Sequence, residues 1–316
     1  MKPRPYRTFF TEFQWPVLGQ GYEWHQGKVL SVGRTGRQAK ASVPDGFLMP
    51  SVSARPTTRR YNPFRETTGL FRQFAETTPT EAGIKLFADR YGLLGDEEVR
   101  ATMATEGPRQ RGAALGRNGE RLAGWNGQIA RMQQAVRLWG MVQSGNIAGL
   151  AQYIKWDGDQ AVSYQGPPDL YLIASAEESP EQLTKYTPGD VLRPAQTYVQ
   201  WLTNRMLTTR ASPRLLWDTE PDRLSLHLVP RNLLGALWLQ FARAIDGNRE
   251  FRQCRQCYTW LELSPEIART NRKYCTDACR LRAFRARKED QAQQEVRPRK
   301  KQQSSRPTNQ PRRTSP

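Results

Sequence analysis

The sequence predicts an α+β protein: a mostly helical main domain with short strands and a hairpin, a small C-terminal four-cysteine finger, and a disordered basic tail. Three observations predict it. Apolar residues recur at helical spacing in several separate stretches, most regularly from Leu233 to Ile245. All four cysteines of the 316-residue chain fall in one window, Cys254, Cys257, Cys275 and Cys279, in the order C-x2-C-x17-C-x3-C. The net charge of +18 is concentrated at the end of the chain, where residues 249–316 carry 18 Lys/Arg against 7 Asp/Glu.

Residues 1–66 read as a poorly defined N-terminal segment and linker. Tyr22–Glu23–Trp24 and Lys28–Val29–Leu30–Ser31–Val32 are short strand candidates. Pro44–Asp45–Gly46 reads as a turn, and the stretch from Pro50 to Pro63 as linker or extended loop. Gly33–Arg34–Thr35–Gly36 invites a phosphate-loop reading, but it lacks the Gly-Lys-Ser/Thr ending and a following helix, which dismisses it.

The main domain is placed at residues 67–248. Its first helix opens at Thr78–Pro79–Thr80–Glu81, with Thr78 as N-cap and Glu81 completing a capping box. Ile84, Phe87, Ala88 and Tyr91 share one face, and Gly92 ends the helix. Residues 95–122 are polar and Gly/Arg-rich and read as a loop with frayed helix. Trp125 to Trp139 is a second amphipathic helix, with Ile129, Met132, Val136 and Trp139 as its stripe. Asp157–Gly158 marks a turn before a strand at Ala161–Tyr164, and Leu170 to Ala174 forms another. Ser179–Pro180–Glu181–Gln182 is a further capping box, and Tyr198 to Leu207 is helical.

Leu215–Leu216–Trp217 and Leu224 to Leu228 are the arms of a hairpin across Glu220–Pro221–Asp222. The leucines of the second arm share one face, so His227 points the other way, to solvent or a neighbour. The strongest helix follows, burying Leu233, Leu234, Leu237, Trp238, Phe241 and Ile245, and Asp246–Gly247–Asn248 stops it.

Residues 249–290 hold the finger. Two close cysteine pairs at this separation have the arithmetic of a tetrathiolate metal site. The first pair suits a knuckle, a tight turn that points both sulfurs at one ion. The second pair, spaced i, i+4, fits the start of a helix, where the dipole favours thiolate. Four thiolates at about 2.3 Å describe one structural Zn2+ with no open position for catalysis. Disulfides require an oxidising compartment, and nothing here looks secreted. Glu12, Gln14 and Pro16 interrupt the apolar run a signal peptide needs. The most apolar helix contains Gln240 and Arg243 and is too short to span a bilayer. The chain reads as cytoplasmic, with reduced thiols.

From Leu215 to Lys288 the order is a hairpin, a Leu-rich helix, a short Arg-bearing link, Cys-x-x-Cys, an aromatic, and a basic Tyr-Cys…Cys-Arg helix. On Arg252, Cys254, Cys257, Trp260, Arg272, Tyr274, Cys275, Cys279, Ala283 and the run Arg285 to Arg287, this resembles the bacterial CGNR-type zinc-finger proteins. Upstream, the similarity rests on Phe71–Ala75 and Phe87–Gly92. The resemblance implies a helical upstream domain, a treble-clef-like finger, and a transcriptional regulator that binds DNA. The chain departs from the namesake Cys-Gly-Asn-Arg at the last ligand, reading Cys279–Arg280–Leu281–Arg282. The sulfur survives that change, and contacts made by the Gly-Asn-Arg do not carry over.

The concentrated positive charge favours a polyanionic partner, nucleic acid ahead of a membrane. A helix over Thr276 to Lys288 places Cys279, Ala283 and Ala286 toward the metal, with Arg282 and Arg285 on one flank and Arg280 and Arg287 on the other. Leu281 and Phe284 then point away, into the body of the protein or a partner. With Arg272, Lys273, Lys288 and the tail residues Arg299, Lys300 and Lys301, these arginines form a candidate phosphate-binding surface. Duplex DNA is expected ahead of RNA. Tyr258 and Trp260 either stack on unpaired bases or, the favoured reading, pack against the knuckle. The alternatives are an RNA-binding protein, or a protein-interaction or ligand-sensing domain whose zinc is a structural clip. A homodimer through the helical domain is a further expectation; a membrane partner is not expected. Nor is an enzyme: His25 and His227 lie far apart, the cysteines are committed to metal, and no catalytic constellation stands out.

Overall fold

The computed structural model describes residues 13–32, 39–53, 55–104, 116–219, 222–247, 249–263 and 271–296. The Gly-Arg stretch at 33–36, residues 220–221 and residues 297–316, with Arg299, Lys300 and Lys301, lie outside them; of the tail expected over 291–316, residues 291–296 instead belong to the last helix.

The N-terminal segment, expected to be ill-defined, is built of strands: β1 (Trp15–Leu18), β2 (Tyr22–Val32), β3 (Ala39–Pro50) and β4 (Thr58–Tyr61). Trp15 lies opposite Tyr61 in the antiparallel pair β1–β4, so the expected linker contains a strand. Pro44–Asp45–Gly46 is not a turn but runs inside β3, paired with Lys28, Gly27 and Gln26 of β2. Tertiary contacts override the local turn signal. The Asp45 carboxylate accepts from Arg121 Nε at 2.8 Å, and Gly46 makes room for the ring of Trp24, which a Cβ would meet at 3.3 Å.

Three helices follow, α1 (Pro63–Glu66), α2 (Leu70–Ala75) and α3 (Glu81–Tyr91). Thr80 rather than Thr78 caps α3, its hydroxyl accepting from Gly83 N at 3.2 Å. The expected capping box is therefore not formed; the Glu81 carboxylate instead accepts from Gln26 Nε2 at 2.7 Å. The predicted apolar face is the one that is buried, and Gly92 ends the helix at φ +93°.

The region expected as a loop supplies β5 (Arg100–Ala104) and β6 (Gly116–Arg121), which close a small barrel in the order β2-β3-β6-β5. β6 does not alternate apolar and polar residues, and β5 does so only over Arg100–Met103. Part of what holds β6 lies across the chain, where the buried Glu120 carboxylate accepts from Leu94 N at 2.9 Å and Gly95 N at 2.5 Å.

Next come α4 (Leu122–Ser144), α5 (Ile147–Leu150), an antiparallel sheet of β7 (Ile154–Asp157), β8 (Ala161–Gln165) and β9 (Leu170–Ser175), then α6 (Pro180–Leu183) and α7 (Leu192–Arg210). Trp125, Ile129, Met132, Ala135 and Leu138 form the buried stripe of α4, while Val136 and Trp139 sit at its margin. Ser179 precedes α6 without closing a box, because its hydroxyl accepts from Ser175 N at 3.1 Å instead.

The hairpin β10 (Ala211–Thr219) and β11 (Asp222–Pro230) leads into α8 (Leu233–Asp246), capped by Asn232. Helices α2, α4, α7 and α8 pack together at the centre. One buried ion pair ties three segments there. Arg210 Nε lies 2.8 Å from Asp96 Oδ2, and Asn232 Nδ2 donates to the same oxygen at 3.2 Å. The hairpin arms pair where the sequence places them, Leu215 opposite Leu226 and Trp217 opposite Leu224. His227 turns into the protein at 3% exposure, however, while Leu224 and Leu226 are 58% and 60% exposed. Among the described residues, no helix is long and apolar enough to cross a membrane.

Candidate metal centre

Two short strands, β12 (Glu250–Gln253) and β13 (Trp260–Leu263), pair antiparallel, with Gln253 opposite Trp260. Cys254 to Thr259 turns between them. Cys254 N donates to Thr259 O at 2.9 Å, Tyr258 N to Cys254 O at 2.9 Å, and Tyr258 takes φ +58°. A left-handed tyrosine is uncommon outside tight turns, and this one closes the knuckle that turns Cys254 and Cys257 to the same side. The last helix, α9 (Asp277–Val296), starts between Cys275 and Cys279. Thr276 Oγ1 accepts from Cys279 N at 3.2 Å, the pattern of a helix N-cap. The second cysteine pair is thereby fixed by the helix start, as its spacing predicts.

The four sulfurs lie within 4.8 Å of one another. Cys257 and Cys275 are 3.4 Å apart, and Cys275 and Cys279 3.5 Å. These separations are far longer than the roughly 2.05 Å of a disulfide. They are close to the edge of about 3.8 Å expected in a tetrahedron of sulfurs around an ion bound at 2.3 Å. Cys275 N donates to Cys254 Sγ at 3.3 Å, a backbone N–H turned toward the sulfur. Burial raises the Cys257 thiol, but the hydroxyl and backbone of Thr259 and the neighbouring sulfurs outweigh it and bring the group down to about 6. Burial and the surrounding sulfurs push Cys275 up. Such crowding of thiols is what a cation relieves, by replacing their protons. The four cysteines are positioned to bind one metal ion.

The unit is clamped to the body through residues the sequence reading did not single out for this role. The Arg72 guanidinium on α2 lies over three rings, Phe71 at 5.5 Å, Phe251 at 5.0 Å and Trp260 at 5.1 Å. Trp260 Nε1 donates to Glu76 at 2.9 Å, and Arg90 Nη2 donates to Thr259 Oγ1 at 3.1 Å. Trp260 therefore packs against the body, while Tyr258 at the knuckle is 68% exposed. Partners separated by 169 to 184 residues leave no local signal in the sequence.

The candidate phosphate-binding residues divide into three groups. Arg272 turns inward, Nε donating to Tyr274 O at 2.9 Å and Nη2 to Cys275 O, so its guanidinium braces the finger backbone. Lys273, Arg280, Arg282, Arg285, Arg287 and Lys288 are exposed. Arg280 pairs with Asp277 at 3.1 Å, and Arg287 Nε donates to Ala283 O at 3.1 Å, both on α9 itself. The third group, Arg299, Lys300 and Lys301, lies beyond the described residues. Leu281 and Phe284 do not enter the body; they are 51% and 58% exposed. No family model, no curated protein and no solved structure matches this chain, so the likeness to CGNR-type fingers rests on the residues that carry it.

Proposed function

We propose that the chain is a zinc-binding, nucleic-acid-binding protein, a DNA-binding regulator in its most specific form. Its C-terminal unit is a treble-clef-like finger holding one Zn2+ on Cys254, Cys257, Cys275 and Cys279. Zinc suits four thiolates in a closed set, where no position is left for a substrate. The ion joins the knuckle to the first turn of α9 and so sets the direction in which that helix leaves the body.

The observation that carries the reading is the placement of the cations. Beyond the ligand Cys279, the same helix presents Arg280, Arg282, Arg285, Arg287 and Lys288, all exposed. Five cations on one rigid element match the spacing of phosphates along a nucleic-acid backbone. A duplex is favoured because the cations flank both sides of one helix, which can bridge phosphates on either side of a groove. A competing reading, a zinc clip in a protein-interaction domain, draws on the tight docking of the finger onto α2.

Fluorescence anisotropy with a random-sequence duplex and a single strand, across a salt series, tests the proposal. The zinc-loaded protein should bind the duplex with an affinity that falls steeply with salt, by a log–log slope of about 4.5 if five phosphates are neutralised. The Cys275→Ser/Cys279→Ser variant should bind at least about tenfold more weakly, since its helix is no longer held. Equal binding by both proteins would reduce the finger to a bystander. No binding by either would overturn the nucleic-acid reading and leave the clip.

A further inference from the structure

On α9 the largest apolar side chains are open to solvent: Leu281 is 51% and Phe284 58% exposed. Three residues apart, they lie side by side on the face opposite Cys279. At 100° per residue Lys288 falls between them one turn on, with Arg285 to one side and Arg280 and Arg287 to the other. All four of these cationic residues are exposed. Of the acidic residues on α9, Asp277 is paired with Arg280, and Glu289 and Asp290 follow Lys288 in the sequence. Leu281 and Phe284 therefore form a small apolar island enclosed by positive charge.

Charge complementarity selects the partner. A protein groove with an apolar floor and an acidic rim would also match this layout, and the nucleic-acid reading above is what selects against it. An anionic membrane would match both, yet an interfacial helix needs a broad apolar face. Here the apolar face is only two residues long, since Lys288 follows Phe284 on it. A nucleic acid has the required layout, flat apolar bases flanked by phosphates.

We propose that Leu281 and Phe284 form a wedge that enters the base stack at an unpaired or bulged site while the surrounding arginines hold the adjacent phosphates. This rests on the nucleic-acid reading above and deepens it: the outer face of α9 touches bases, and the protein prefers nucleic acid whose bases are accessible over a perfectly paired duplex.

The test compares wild type, Phe284→Ala and Phe284→Trp on a short single strand, its fully paired duplex, and the same duplex with a central bulge. Both side chains lie at the surface, so the full-length variants are expected to fold, which circular dichroism and zinc content check. Wild type should favour the bulged duplex over the paired one. Phe284→Ala should lose about tenfold on the bulged duplex, the scale of one base–aromatic stack, and with it the preference. Phe284→Trp should restore the preference, and the salt slope should stay as in wild type. Equal bulged and paired affinities in wild type, or an unchanged preference in Phe284→Ala, would overturn the wedge while leaving phosphate binding intact. Absence of all binding by wild type would instead overturn the underlying reading. Tighter capture by phosphatidylserine vesicles than by any oligonucleotide, lost in Phe284→Ala, would overturn the wedge in favour of a membrane contact.

Discussion

Glu120 sits at the junction of β6 with the loop after α3, 2% exposed, its carboxylate accepting two backbone N–H groups. Burial raises it from its ordinary 4.5 to about 7, against the lowering effect of those N–H groups. Between those values the folded chain holds a proton that the unfolded chain has released. Stability from this site is therefore present in full below about pH 4.5 and falls as pH rises through 7, by roughly 3 kcal/mol in all. Glu120→Gln keeps an acceptor and cannot ionise. Thermal melts across this range should show a flatter pH dependence for the variant, with its relative stability greatest above pH 7. Parallel wild-type and variant curves would contradict the assignment. None of this is legible in Gly-Arg-Asn-Gly-Glu-Arg, which reads as a loop because what holds it comes from residues 94 and 95. The four cysteines are legible for the opposite reason. A tetrathiolate site requires ligands at short fixed spacings, so its chemistry is written locally.

At the scale of elements, α3 and α8 are evident from the sequence because their buried faces follow a 3.6-residue period. The two arms of the hairpin β10–β11 are evident, but the face that turns inward is not the expected one. Period-2 alternation says which residues share a face, and only the packing of α8 and the hairpin decides which face is inward. The seating of the finger is illegible for a similar reason, since Arg72 meets Phe251 and Trp260 only in three dimensions. That clamp makes a prediction. Burial lowers the Arg72 guanidinium, with Glu76 working the other way, and its ring contacts contribute on the order of 1 kcal/mol each. Arg72→Ala should speed amide hydrogen exchange in β12 and β13 by about tenfold or more while α4 and α8 keep their protection. Arg72→Lys should rescue only in part, because an ammonium does not stack as a planar guanidinium does. Unchanged exchange in the strands would mean that the finger is held elsewhere.

For the whole molecule, the charge of +18 is divided between a body with a mixed surface and a C-terminal unit that is mostly cationic. A barrel, a helical centre and a three-stranded sheet form the body. The four-cysteine unit is held against α2 and α3, and α9 carries its cations outward from the cysteine cluster. Every functional reading depends on that cluster binding a single ion. The most direct measurement is titration of the metal-free, reduced, full-length protein with cobalt, followed by absorption spectroscopy and back-titration with zinc. The account predicts one cobalt per chain, the intense visible and sulfur-to-metal bands of a tetrahedral tetrathiolate, and complete displacement by one equivalent of zinc. Weak bands of an oxygen-rich six-coordinate site, or no saturable binding with all four thiols reduced, would contradict it.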